Sequence, residues 1–138
     1  MNTDGATIRT TRLPNGLVVL TEEVAAVESV AVGIWADAGS CEEPEGEFGA
    51  AHFLEHMLFK GTATRSPFAL AEVIEDVGGQ INAYTERETT HLVAHVLAEH
   101  LPLALDVMTD MIRNSTFAAD EFERERQVVI EEIRRYQS

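Results

Sequence analysis

Between Phe48 and Phe59 the chain is apolar nearly all the way round a helix, yet this stretch carries His52, Glu55 and His56. A segment of that kind reads as a buried helix. Ionisable groups inside it need partners, because burying an unpaired charge is costly. On a helix, positions i and i+4 share a face about one turn apart, so His52 and His56 can hold one ion between their imidazoles, with Glu55 beside it. Coordination to a divalent cation satisfies two imidazoles and a carboxylate together. The alternative is an ordinary amphipathic helix with solvated polar residues, and a five-residue pattern alone does not exclude it.

The order of the residues, His-x-x-Glu-His, reverses the common zinc-protease pattern and is called inverzincin. Zinc in such a site brings the pKa of a water towards ~7, and Glu55 is the expected general base. A third protein ligand is still needed. The segment from Ala118 to Ser138 is rich in helix formers and reads as a long helix. Glu125, Val128, Val129, Glu132, Ile133 and Tyr136 fall on one side of it, and Arg124, Gln127, Glu131, Arg134, Arg135 and Ser138 on the other. The first stripe holds the apolar residues, so Glu125 and Glu132 are expected to face inward and Glu131 to face water. Periodicity thus selects Glu132 as the ligand, with Glu125 as a second acidic group. Surface ion pairs such as Glu121 with Arg124 and Glu131 with Arg135 explain much of the remaining charge, but not the inward pair.

Three stretches together resemble the pitrilysin and insulinase metallopeptidases, which include the mitochondrial processing peptidase and bacterial processing-peptidase-like proteins. They are Gly49 to Thr62, Gly78-Gly79-Gln80-Ile81-Asn82-Ala83-Tyr84-Thr85, and Glu123 to Ile133. The resemblance implies that His52, His56 and Glu132 bind one Zn2+, that Glu55 is the catalytic base and that Glu125 is a supporting carboxylate. It further implies that Asn82, Ala83 and Tyr84 lie on a substrate-binding strand. Members of the family are several times longer, with a second, similar half that closes over the zinc. The chain is therefore expected to be the N-terminal zinc-binding peptidase domain, residues 1–138, cut short within its last helix. A second half or subunit, or self-association, is the expected partner.

Independently of that resemblance, Ile81 to Tyr84 suits an edge strand that grips peptide backbone by accepting it as an added strand. From the residues alone an ordinary sheet strand is as good a reading. Ala83 is small enough for close approach, and Asn82 can bond backbone or an attacked carbonyl. His91 and His95 share the four-residue spacing of the metal pair but lie in a strand-like run. At ~3.3 Å per residue they are about 13 Å apart, too far to share an ion. His100 precedes a helix start, and none of the three is assigned to the site.

The 138 residues suffice for one domain with its own core. A net charge of −14, from 24 acidic against 10 basic residues, argues against nucleic-acid binding. It favours cationic peptides as substrates, although most of these charges are simply a solvated surface. Cys41 is the only cysteine, so an intrachain disulfide is impossible. The polar start, Met1 to Thr11, lacks a signal-peptide core, and no run approaches the ~20 apolar residues of a membrane span, so a cytoplasmic protein is expected.

Asn15-Gly16 between β-formers predicts a hairpin, with strands over Thr7 to Leu13 and Leu17 to Glu22. A strand is expected over Val30 to Ala36. The metal helix should end at Lys60-Gly61, and a second helix should run from a Ser66 cap and Pro67 to Val77. Strands over Gln80 to Thr85 and Thr89 to Leu97 follow, then a helix over Glu99 to Arg113. The fold class is α+β, a mostly antiparallel sheet with helices over one face. The leading function is a zinc endopeptidase that hydrolyses peptides or processes short segments. The alternative is a non-catalytic metal-binding partner or a fragment lacking the half needed for turnover. A purely structural zinc domain ranks lowest, since it would leave Glu55 without a role and structural sites prefer four protein ligands.

Overall fold

A computed structural model describes residues 7–136. The first two strands, β1 (Thr7–Arg12) and β2 (Val18–Glu23), form the expected hairpin, an antiparallel pair that makes a sheet of its own. Its turn closes through Leu13 N–H to Leu17 O at 2.8 Å, and the Asn15 side chain accepts from Leu17 N–H at 3.1 Å. Gly16 takes φ 91°, a left-handed conformation that suits glycine.

The main sheet has three antiparallel strands in the order β3 (Ser29–Ala36), β5 (Thr90–Leu97), β4 (Gln80–Thr85). Period-two alternation divides it cleanly. Leu92, Ala94 and Val96 of β5 are buried, with Val30, Val32 and Ile34 of β3 and Ile81 and Ala83 of β4 packed beside them. Helices cover this face: α1 (Ala50–Met57), α2 (Pro67–Glu75) and α3 (Leu101–Asn114), the last entered through a short 3-10 turn at Ala98–His100. In α3 the buried positions Ala104, Val107, Met108 and Met111 follow the i, i+3, i+4, i+7 rhythm of a core-facing stripe. They meet Leu70 and Ile74 of α2 and the buried row of β5. Each large side chain buried here contributes about 1.5–3 kcal/mol. The sheet's other face has no helix over it among the described residues. There His91 lies between Trp35 and Tyr84, with ring centroids 5.5 and 5.2 Å apart.

Helix bounds differ modestly from expectation. Ser66 caps α2 as its sequence predicts, accepting from Ala69 N–H at 3.2 Å, but the helix stops at Glu75 and unwinds through Asp76–Gly78. The metal helix stops at Met57, and a tighter turn follows, with Phe59 N–H to His56 O at 3.3 Å and Lys60 N–H to Met57 O at 3.1 Å. It is also less enclosed than its composition implies: Met57 is its one buried residue, and Leu54 is 44% exposed. The physical reason is that α4 (Ala119–Tyr136), β4 and a short 3-10 turn at Ser40–Glu42 pack against α1 without enclosing it, which leaves Leu54 open. The helix expected to run to Ser138 is described as far as Tyr136, and residues 137 and 138 lie outside the described part. No described helix is long and apolar enough to cross a membrane.

Candidate metal centre

Two features fix the start of α1. Gly49 takes the N-cap position with φ 96°, and lacks a side chain to cap with. Glu43 from the preceding loop supplies the missing acceptor, taking Gly49 N–H at 2.7 Å and Ala51 N–H at 2.8 Å. A carboxylate there satisfies free amide donors and complements the positive end of the helix dipole. His52 follows directly, and Thr85 of β4 ties the same turn down by donating to Ala51 O at 3.3 Å.

α4 crosses α1 with Phe122 against Phe53, ring centroids 4.6 Å apart. Glu125 is 6% exposed, Val129 is 9% exposed and Glu132 is half-buried, so these three form the inner stripe. This stripe is narrower than the one drawn from periodicity, since Val128 and Ile133 are 45% and 50% exposed. They lie on the flanks of the contact with α1, where nothing described covers them. Glu131 is exposed and pairs with Arg134 at 2.6 Å. Glu121 pairs with Arg124 as expected.

The outcome of this packing is a compact donor set. His52 Nε2 and His56 Nε2 are 3.1 Å apart, and Glu132 Oε2 lies 3.8 Å from the first and 3.6 Å from the second. Zinc held at ~2.1 Å by a tetrahedral set separates its ligand atoms by about 3.4 Å. The three edges bracket that value, so the residues fit the ion. Among the described residues this is the group of three that could hold a metal.

Glu125 stands behind the donor set. The His56 ring donates from Nδ1 to Glu125 Oε1 at 2.7 Å, which leaves Nε2 as the free donor atom. The other oxygen, Oε2, accepts from Lys60 Nζ at 2.7 Å. Burial pushes the Glu125 carboxyl up, but the hydrogen bonds from Lys60 and His56 outweigh it and leave the group below its ordinary value. The sequence marks Lys60 only as part of the helix end at Lys60-Gly61. Its spacing of four from His56 is the signal that could have found it.

A cleft of about 280 Å³ opens beside this centre, lined by Glu55, His56, Phe59, Lys60, Ile81, Asn82, Ala83 and Glu125. Glu55, Asn82 and Ala83 thus share one cleft with His56. Tyr84 does not join them, because alternation along β4 turns its ring to the open sheet face against His91. His95 is exposed on that same face and away from the centre. β4 is an edge strand whose outer side has no strand partner among the described residues.

Comparison with known proteins agrees with this architecture. The model of the family Insulinase (Peptidase family M16) matches residues 18–138. An uncharacterized zinc protease of Mycobacterium bovis is 51% identical over 125 residues, 91% of this chain and 28% of the relative. The probable mitochondrial-processing peptidase subunit beta of Arabidopsis thaliana is 50% identical over 91% of this chain and 24% of its own length. Among solved structures, a protease from Helicobacter pylori superposes with a TM-score of 0.89 at 29% identity, covering 94% of this chain and 31% of that one. Pitrilysin gives 0.82 at 34% identity, covering 96% of this chain and 14% of its own. The chain therefore spans about a quarter to a third of the relatives it matches, apart from pitrilysin. With the family model matched over most of its length, and relatives named zinc proteases, the chain belongs to the insulinase family of peptidases, family M16.

Proposed function

We propose that this chain carries the zinc centre of an endopeptidase, with His52, His56 and Glu132 as ligands to one ion and Glu55 as the general base. The observation that carries the reading is the triangle of donor atoms, 3.1, 3.6 and 3.8 Å on its sides, with His56 at one corner lining a cleft that Glu55 also lines. When bound, zinc supplies Lewis acidity to a water and to the carbonyl it attacks. Glu55 takes the water's proton on its carboxylate and hands it on to the departing amide nitrogen. Glu125 acts through His56, holding the proton on Nδ1 so that Nε2 faces the ion.

The free edge of β4 supports backbone recognition of an extended peptide by strand addition. Ala83 admits the peptide closely, and Asn82 beside it lines the cleft. Tyr84 contributes backbone to this strand, and its ring stabilises the sheet from behind. The excess of acidic residues favours cationic peptides. The share of each relative that the chain spans supports a larger protein, in which a second half or a separate subunit completes the cleft.

Zinc content and cleavage of an unstructured peptide, measured for the wild type and for Glu55→Gln, test the reading. Glu55→Gln should keep the zinc and lose about 100-fold or more in kcat. Zinc without cleavage in the wild type would favour a non-catalytic partner subunit or a fragment lacking the half needed for turnover. Absence of zinc would sink both.

A further inference from the structure

Lys60 is not a ligand and belongs to neither the histidine motif nor the third-ligand helix, yet its ammonium reaches the buried carboxylate behind the site. We propose that Lys60 is a positioning residue of the metal centre, holding one oxygen of Glu125 so that the other is presented to His56 Nδ1–H. The proposal rests on the reading of His52, His56 and Glu132 as zinc ligands.

Geometry supports it first. Glu125 divides its two oxygens, Oε1 to His56 at 2.7 Å and Oε2 to Lys60 at 2.7 Å. A carboxylate gripped at both oxygens cannot rotate away from the imidazole or swing an oxygen round to the donor triangle. Lys60 is itself held, since it sits in the turn that ends α1, with its N–H on Met57 O at 3.1 Å. The next residues are stapled to α3. Thr62 donates to Asp110 at 2.7 Å, Ala63 N–H to Asn114 O at 3.1 Å, and Arg65 to Asp110 at 2.7 Å. The ammonium is thus delivered from a fixed loop.

Charge supports it independently. Glu55, Glu125 and Glu132 bring three negative charges to one small region, and a divalent ion returns two positive ones. Lys60 brings the sum to zero. Without it a carboxylate that is 6% exposed keeps an uncompensated charge, which is costly to bury. The site relieves that cost by moving Glu125, and His56 loses its orienting partner.

The test compares zinc affinity and the visible spectrum of the cobalt-substituted protein in the wild type, Lys60→Met and Lys60→Arg, using the full chain. Lys60→Met should weaken zinc binding about 10-fold or more and shift the cobalt bands, as loss of an outer-shell partner does. Lys60→Arg, which keeps a donor to Oε2, should stay within about threefold with unshifted bands. In a Glu125→Gln background the Lys60→Met effect should vanish, because the lysine acts through that carboxylate. Unchanged affinity and spectrum in Lys60→Met overturn the proposal, as does a loss that persists in the Glu125→Gln background. If Lys60→Met does not fold, Lys60→Gln is read by the same criteria. Failure of the wild type to bind zinc instead overturns the metal-centre reading itself.

Discussion

Asp110 is a buried carboxylate with four donors around it: Thr62 at 2.7 Å, Thr64 at 3.2 Å, Arg65 at 2.7 Å and Asn114 at 2.8 Å. Hydrogen bonds from Asn114 and Thr62 lead the causes that hold its carboxyl far below the ordinary 3.8, against the upward push of burial. A depressed folded pKa means stability that is present above the unfolded value and lost as pH falls below it. Urea unfolding should therefore show an acid limb starting near pH 4 that Asp110→Asn flattens, at a cost of about 2 kcal/mol at neutral pH. At the metal centre, Glu132→Gln should abolish tight zinc binding while Glu131→Gln leaves it within about twofold, read by equilibrium dialysis. Which of the two adjacent glutamates faces inward was legible in the sequence, because one residue turns a helix by about 100° and only Glu132 can share a face with Val129. The role of Lys60 was not legible in the same way. Helical spacing put it near His56, but its partner Glu125 is 65 positions further along the chain and only the fold sets them together.

At the scale of the element, the start of α1 is fixed by a group outside the helix. Glu43 accepts two of its amides, so Glu43→Ala should lower stability by about 1 kcal/mol and weaken zinc binding through fraying ahead of His52, measured by thermal unfolding and metal titration. Where α2 turns into β4, a Cβ at Gly79 would stand 2.7 Å from Val96 Cγ1 and 3.0 Å from His95 O. Gly79→Ala should cost about 1–3 kcal/mol, visible as a lowered Tm. Most elements were readable from local signals: the Asn-Gly turn, the Ser66-Pro67 helix start and the alternating strands. Two features were misjudged for one reason. Composition gave α1 full burial and α4 a broad inner stripe, but what buries a helix is its neighbours, and here α1 meets α4, β4 and the Ser40–Glu42 turn on only part of its surface.

For the whole molecule, metal and fold are linked. The three residues proposed as ligands come from two helices that meet only in the folded chain, so zinc held there would bind the native state and stabilise it by mass action. Free zinc at 100 times its Kd should raise stability by about 2.7 kcal/mol, and chelation should reverse the shift in Tm. The sequence by itself determined the periodic elements and the pair of histidines on one helical face, because both depend on spacing along a few turns of backbone. Only the tertiary structure decided that Glu132 completes a donor triangle, that Lys60 and His56 divide one buried carboxylate, and that Tyr84 turns away while Ala83 faces the cleft. Those outcomes rest on how α4 and β4 pack against α1, and such contacts join residues far apart in the chain whose meeting no local propensity encodes.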